Sequence, residues 1–449
     1  MPPPSPAIET FQLPRLSRRD TRARGSVPKW GTVLGQVAFA ILLVLASTGP
    51  WMTNEGSEML SRVRETSYVA VLLAALIAIR PWRKPDRLLL LPWPHVIALG
   101  WCALSLTWAL EPGVGLRRLV LTAIVLWSLF ALTRQLGPAR CVTIVRAVLV
   151  VLLVVNYVAV LAYPAVGIDQ SLEPGLTNTW RGIMSQKNFA GITCAMTVLL
   201  FAFDAASIRL PLRITAIAAA GVFLFFTDSA TSIGMCIAAL ALGGLLTWHM
   251  TRAGALQILN PNWAWLPLGI IAALFAHMAL NPSVYLGQLA DPGGFTGRTQ
   301  IWSALVRAYA DRPWLGIGYG SFWDLGPQGP ITAYATGCVT TVSQGHNGYL
   351  DMLAQVGAPG TLILMFAALA WPMQRLLGGI DHPVRVLGAT MLFFCLGHNF
   401  TESSLFDRDA LGQVFLLFAT ALLWMAPPAR SDADAPATWS AAEKARKPA

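Results

Sequence analysis

The chain has 449 residues, 55% hydrophobic and only 12% charged, with a mean hydropathy of +0.56. Soluble domains carry about 25% charge, so an ordinary water-facing surface is excluded, while recurrent apolar runs of about 20 residues suit a hydrocarbon core about 30 Å thick. The formal net charge of +10 does not point to nucleic acid, because the Lys and Arg residues are scattered over short segments between apolar runs instead of forming a basic stripe.

Residues 1–30 are rich in Pro, Ser and Arg. They are expected to form a disordered cytoplasmic tail, since such a composition buries too little apolar surface to fold. The apolar run Thr32–Ser47 follows and reads as a retained first span, because the long tail before it does not suit a signal peptide. Further spans are expected at 66–79, 92–110, 117–133, 143–163, 188–203, 212–227, 231–249, 264–280, 347–371, 384–400 and 411–426. Helices satisfy their backbone polar groups internally in lipid, so the expected class is an all-α polytopic membrane protein with about twelve transmembrane helices. Its transmembrane catalytic domain covers 31–426, and 427–449 is a second cytoplasmic tail. With the N-terminus inside, 22 of the 32 Lys and Arg residues fall in cytoplasmic segments, the bias expected of a topology signal. Trp30, Trp51, Trp82, Trp93, Trp248, Trp263 and Trp371 fall near span ends, as an aromatic belt requires.

Two segments, 164–187 and 281–346, are expected to form extracytoplasmic loops. Long loops without linker composition are often functional. Within the second, Thr299–Asp311 predicts an amphipathic helix, with Ile301, Trp302, Leu305, Val306 and Tyr309 on one face. Five of the six cysteines fall in or beside apolar runs and Cys338 lies in the long polar segment. That pattern makes neither a disulfide framework nor a zinc site, and all six read as small apolar filler.

The candidate chemistry lies in the loops. The first contains NTWRGIMSQKNFAG, with Arg181 and Lys187. Both residue types also serve as headgroup anchors, but Gly182 beside Arg181 permits a sharp backbone and close ligand approach. The second contains GGFTGRTQIWSALVRAYADRPWLGIGYGSFW. Arg298 opens the amphipathic helix, where free N–H groups and the positive dipole end favour an anion, and a guanidinium fork suits phosphate oxygens. Arg307 is nine residues later, about half a turn round the helix, and should not serve the same site. The GIGYG run follows no strand and reads as a turn. The loop ends in SQGHNGYLDMLAQVGAPG. A lone histidine is often structural, but His346 stands at the membrane entrance on the same side as both arginines and can accept a proton near neutral pH. The pair His398-Asn399 precedes TESSLFDRD, which carries Glu402, Asp407 and Arg408. These divide between structural and substrate-binding readings. His95, His249, His277 and His382 lie alone at span ends, and no acids show paired or metal-ligand spacing.

Four stretches resemble the O-antigen ligase and Wzy-type polysaccharide polymerase superfamily, closest to its ExoQ-like exopolysaccharide polymerase branch. They are WRGIMSQKNFAG at 180–191, TGRTQIWSAL with RPWLGIGYGSFW at 296–323, HNGYLDMLAQVGAPG at 346–360 and HNFTESSL at 398–405. In the third, His346, Asn347, Gly357 and Gly360 fit the ligase-type pattern. The resemblance implies a glycosyltransferase-C-like helical fold and a metal-independent, cofactor-free, inverting glycosyl transfer. The donor and acceptor would be glycans, the donor linked to undecaprenyl diphosphate. The active site would face the periplasm from a bacterial inner membrane. Arg181 and Arg298 would hold the diphosphate and His346 would assist the attacking hydroxyl. Lys187, Asn347, His398, Glu402 and Arg408 are the remaining substrate-binding candidates. A flippase and a chain-length regulator of the export pathway would be its partners. The expected function is polymerisation of lipid-linked repeat units into exopolysaccharide. The alternatives are an O-antigen ligase acting on lipid A core and, in another class, a transporter of lipid-linked oligosaccharide or anions.

Overall fold

The computed structural model describes residues 29–53, 58–83, 85–171, 177–253, 261–290, 298–326, 329–378 and 384–426. The expected tails therefore lie almost wholly outside the described residues. In chain order the helices are α1 (Lys29–Thr53), α2 (Glu58–Ile79), α3 (Trp93–Ser105), α4 (Pro112–Leu136), α5 (Pro138–Ala162), α6 (Pro164–Gly167), α7 (Lys187–Ala202) and α8 (Leu210–Phe226). They continue as α9 (Ala230–Ala253), α10 (Trp265–Leu280), α11 (Pro282–Gln288), α12 (Arg298–Asp311), α13 (Gly348–Met365), α14 (Trp371–Leu377), α15 (Val384–His398) and α16 (Leu411–Met425). Among the described residues there is no β-strand, and one isolated antiparallel bridge joins Ile168 to Trp180. Proline opens α4 and α5, where its missing N–H has no intrahelical partner to lose.

Among the described residues, six helical segments are long and apolar enough to cross a membrane: Lys29–Thr48, Pro112–Leu136, Pro138–Ala162, Ala230–Trp248, Asn262–Leu280 and Gly348–Leu377. Four shorter apolar helices, α7, α8, α15 and α16, accompany them. The chain is an all-helical, multi-pass membrane protein. Helix α16 is buried along nearly its whole length and packs against α4, α14 and α15. The outer faces instead expose large apolar residues, such as Val151, Val154 and Val158 on α5 and Ile270 and Leu274 on α10. Contiguous exposed apolar surface of this kind suits lipid and not water.

One end of the bundle gathers the features that matter for function. Arg64 near the start of α2 pairs with Asp409 before α16. Leu110, just before α4, donates its N–H to the Ile317 carbonyl at 3.3 Å, and Gly348 at the start of α13 donates to the Asn399 carbonyl at 2.9 Å. On this end α12 buries Ile301, Trp302, Leu305, Val306 and Tyr309. The first three of these with Ile317, Phe322 and Ile331 form part of a small separate core.

The expected span 347–371 is not a continuous α-helix. Gly357 takes φ 68° and ψ 178° within α13, and a π-helical turn over Phe366–Ala370 joins it to α14. The break frees carbonyls that the GIGYG turn then satisfies. Ile317 N–H donates to Ala354 O at 3.0 Å, Gly318 N–H to Gln355 O at 2.8 Å, and Trp101 Nε1 to Val356 O at 3.1 Å. Gly316, Gly318 and Gly320 all have positive φ. A Cβ on Gly316 would stand 2.5 Å from the Gln355 carbonyl, so glycine permits both the turn and its close approach to the break.

Candidate functional site

Two local devices aim His346. Asn347 caps α13, its side-chain oxygen accepting the Tyr349 and Leu350 N–H groups at 3.1 and 3.0 Å. Just before it, Gly345 is clamped. Its N–H donates to Asp351 Oδ2 at 2.9 Å and its carbonyl accepts from Trp302 Nε1 at 3.1 Å. His346 itself takes φ 48°, an uncommon left-handed conformation for a non-glycine residue that marks a position held by its surroundings.

At the centre stands Glu402, 7% exposed, on the loop between α15 and α16. Its Oε1 accepts from Arg298 Nη2 at 2.7 Å and from Asn188 Nδ2 at 2.6 Å. Its Oε2 lies 3.2 Å from His346 Nδ1. Arg298 also donates from Nη1 to the Thr401 carbonyl at 2.6 Å, so the first turn of α12 is tied to this loop twice. Burial opposes ionisation of Glu402, but the hydrogen bond and charge of His346 with the charges of Arg298 and His398 outweigh it and hold the carboxyl below its ordinary range. An ionised Glu402 accepts Nδ1–H of His346 and leaves Nε2 free to accept a hydrogen bond or a proton.

A polar relay supports this cluster from behind. Ser229 Oγ donates to Asn188 Oδ1 at 2.9 Å and lies 3.0 Å from Ser232 Oγ, which contacts His398 Nε2 at 3.0 Å. His398 is 2% exposed and stacked on Phe394. The structure thus places His398 behind the site, holding Asn188 through the serines, and not on its surface.

The other sequence candidates make no hydrogen bond to Glu402 among the described residues. Arg181 sits on a turn held by α5: Asn156 Oδ1 accepts the Ile183 N–H at 2.9 Å, and Gly182 at φ 61° packs on the Asn156 side chain. Trp180 beside it stacks on Phe226 at 4.3 Å. Among the described residues the Arg181 guanidinium has no hydrogen-bond partner, and its Nε is buried. Lys187 donates to the Asp228 carbonyl at 3.1 Å and so ties α7 to the α8–α9 turn. Asn347 spends its oxygen on the cap and donates Nδ2 to the Phe400 carbonyl at 3.1 Å. Arg408 pairs with Asp407 at 2.9 Å in a neighbouring polar cavity, away from the Glu402 carboxylate. Arg307 is exposed and, among the described residues, reaches only the Tyr334 carbonyl at 3.5 Å. Sequence reasoning passed over Asn188, Thr401, Ser229 and Ser232. Asn188 stands inside a motif already singled out, and an amide at the start of an apolar run beside Lys187 is the one signal that could have marked it.

Two cavities flank the cluster. An apolar one of about 750 Å³ opens among α10, α12, α13 and α15, lined by Phe275, Trp302, Leu350, Phe393 and Phe400 and reaching Asn347. A polar one of about 350 Å³ has Gln344 and Ser403 in its wall. Asn347, next to His346 in the chain, belongs to the apolar wall, and Gln344 and Ser403, two residues before His346 and one after Glu402, belong to the polar wall. The cluster offers a cation for phosphate oxygens, an oriented imidazole and separate apolar and polar approaches.

Residues 214–365 match the family model described as O-Antigen ligase. The matched stretch runs from α8 into α13 and contains Arg298, His346 and Asn347. No curated protein matches the chain.

Proposed function

With residues 214–365 matching the O-Antigen ligase family model, we propose that the chain is a polymerase of the exopolysaccharide branch, joining oligosaccharide repeat units carried on undecaprenyl diphosphate. The observation that carries the reading is the Arg298–Glu402–His346 cluster, with an apolar and a polar cavity whose walls include its chain neighbours Asn347, Gln344 and Ser403. The isoprenoid chain takes the apolar cavity. Arg298 and Arg181 bind the diphosphate, Arg298 with the N–H groups that Thr401 and Glu402 leave unused. Guanidinium forks bind phosphate oxygens in pairs and stabilise charge that grows on the leaving group.

The acceptor hydroxyl oxygen attacks the anomeric carbon from the face opposite the diphosphate. A glycosidic C–O bond forms with inversion, and the sugar–phosphate C–O bond breaks with its electron pair leaving on the diphosphate. The hydroxyl proton passes to Nε2 of His346, which Glu402 orients through Nδ1–H. Positive charge at the leaving group comes from the arginines, so the step calls for no metal ion, and the sugar–diphosphate bond supplies the driving force. In this reading about twelve helices cross a bacterial inner membrane, both termini are cytoplasmic and the cluster faces the periplasm, as the Lys and Arg distribution supports.

The description of the matched family favours a second reading, ligation of finished glycan to lipid A core. The lipid-linked glycan that accumulates when the protein is deleted separates the two. One repeat unit on carrier lipid means a polymerase, and finished polymer on carrier lipid means a ligase. Normal amounts of both products would overturn both readings. Transport is disfavoured by the break in α13. Transporters use broken helices to expose backbone groups to a cargo site, whereas here Ile317, Gly318 and Trp101 occupy the freed carbonyls.

A further inference from the structure

The polar cavity holds groups that neither the diphosphate contacts nor the apolar cavity employs. Its volume of about 350 Å³ is within the about 300–1,000 Å³ of small-ligand sites. Its wall carries four guanidinium groups, Arg64, Arg117, Arg118 and Arg408, and four carboxylates, Glu65, Asp324, Asp407 and Asp409. They are matched in pairs. Arg64 Nε donates to Asp409 Oδ2 at 2.9 Å and Arg408 Nε to Asp407 Oδ1 at 2.9 Å. Arg117 Nε lies 3.4 Å from Glu65 Oε1, and Arg118 Nη2 lies 3.9 Å from Asp324 Oδ2.

This wall is dense in donors and acceptors yet formally neutral. An anion gains little where every guanidinium already faces a carboxylate. A sugar hydroxyl gains twice, because it donates to a carboxylate oxygen and accepts from a guanidinium N–H. Ser61, Gln186, Gln344 and Ser403 add uncharged partners, and Phe189 adds an apolar face. Arg118 donates from Nη1 to the Gly320 carbonyl at 2.9 Å. It is 9% exposed, it lines the cavity, and its buried Nε has no hydrogen-bond partner among the described residues.

Resting on the glycosyl-transfer reading above, we propose that this cavity is the acceptor subsite, and that it binds an uncharged sugar residue of the incoming glycan. Gln344 stands two residues before His346 and Ser403 one residue after Glu402, so a sugar held by this wall presents its hydroxyl to the imidazole.

The test uses the full-length protein in detergent and, as probe, the oligosaccharide released by mild acid from the lipid-linked glycan that accumulates in cells lacking the protein. Its Kd is measured by titration, and its acceptor KM is measured against the lipid-linked donor. The double variant Ser61→Leu with Gln344→Leu should raise Kd and acceptor KM about tenfold through lost hydrogen bonds, while donor KM holds. Gln344→Lys should not tighten binding, and added salt should leave the wild-type Kd unchanged, since the ligand is uncharged. An unchanged acceptor KM in the double variant overturns the assignment. So does salt-sensitive tightening in Gln344→Lys, which would make the cavity an anion site. If the wild type transfers glycan while the variants keep their acceptor KM, the subsite alone falls. If the wild type neither binds the probe nor transfers to it, the glycosyl-transfer reading falls with it.

Discussion

Glu402→Gln removes one negative charge while keeping the side-chain volume. In the wild type all three partners of the carboxylate offer hydrogens: Arg298 at 2.7 Å, Asn188 at 2.6 Å and His346 Nδ1 at 3.2 Å. A glutamine amide has one accepting end, so its NH2 either faces the Arg298 and Asn188 donors or faces His346 Nδ1 and forces the imidazole into the other tautomer. Arg298 also loses its counter-ion. Removing one partner of a buried pair costs about 3–5 kcal/mol. Because the Arg298 and His346 side chains are 20% and 21% exposed, solvent screening should bring the stability loss to about 2–3 kcal/mol. Turnover should fall further, by about 10²–10⁴-fold, because the imidazole loses the group that fixes its tautomer and orientation. The assay is product formation from lipid-linked glycan in reconstituted vesicles, with donor binding and thermal unfolding measured on the same preparations. A variant that folds, binds donor and turns over near the wild-type rate would refute the role given to Glu402. The sign of the pH dependence follows from the depressed carboxyl. Its folded value lies below the ordinary 4.5, so its stabilisation is fully present above about pH 4.5 and is lost as pH falls through the folded value. The stability gap between wild type and Glu402→Gln should therefore narrow below that pH.

Arg298→Lys and Arg181→Lys should lose most product at normal expression, because lysine lacks the two-pronged geometry. Arg307→Lys should be mild, and equal sensitivity at Arg307 would sink the helix-face argument. His346→Ala should keep lipid-diphosphate binding while turnover drops about 10²–10⁴-fold. His346→Gln can hydrogen-bond but cannot take a proton, so recovered turnover there would make orientation, not proton transfer, the role of the imidazole. Gly357→Ala combines a left-handed backbone with a collision between the new Cβ and the Trp314 carbonyl. The backbone term alone is about 1–3 kcal/mol, so the melting temperature should fall clearly, and an unchanged value would contradict the break in α13.

The membrane class was legible because hydropathy is a sum over neighbours in sequence, and the run at 117–133, for example, lies within α4. Arg298 at the start of an amphipathic helix and His346 at the start of a membrane helix were legible for the same reason, since both are positions within one periodic segment. The break in α13 was not. Gly357 and Pro359 stand in an apolar run that passes for a continuous span, and what bends the chain there is a loop about forty residues upstream that lends its N–H groups to the freed carbonyls.

Sequence by itself determined the membrane character, the alternation of apolar runs with polar ends and a short roster of residues able to bind phosphate or move a proton. Only the tertiary structure decided which of them act together. Glu402 meets a guanidinium 104 residues away and an imidazole 56 residues away, while His398, four residues before it, turns into the bundle. Hydropathy and helix periodicity are properties of a local stretch, whereas an ion pair depends on where two distant stretches are brought by the packing between them, and no spacing along the chain encodes that distance.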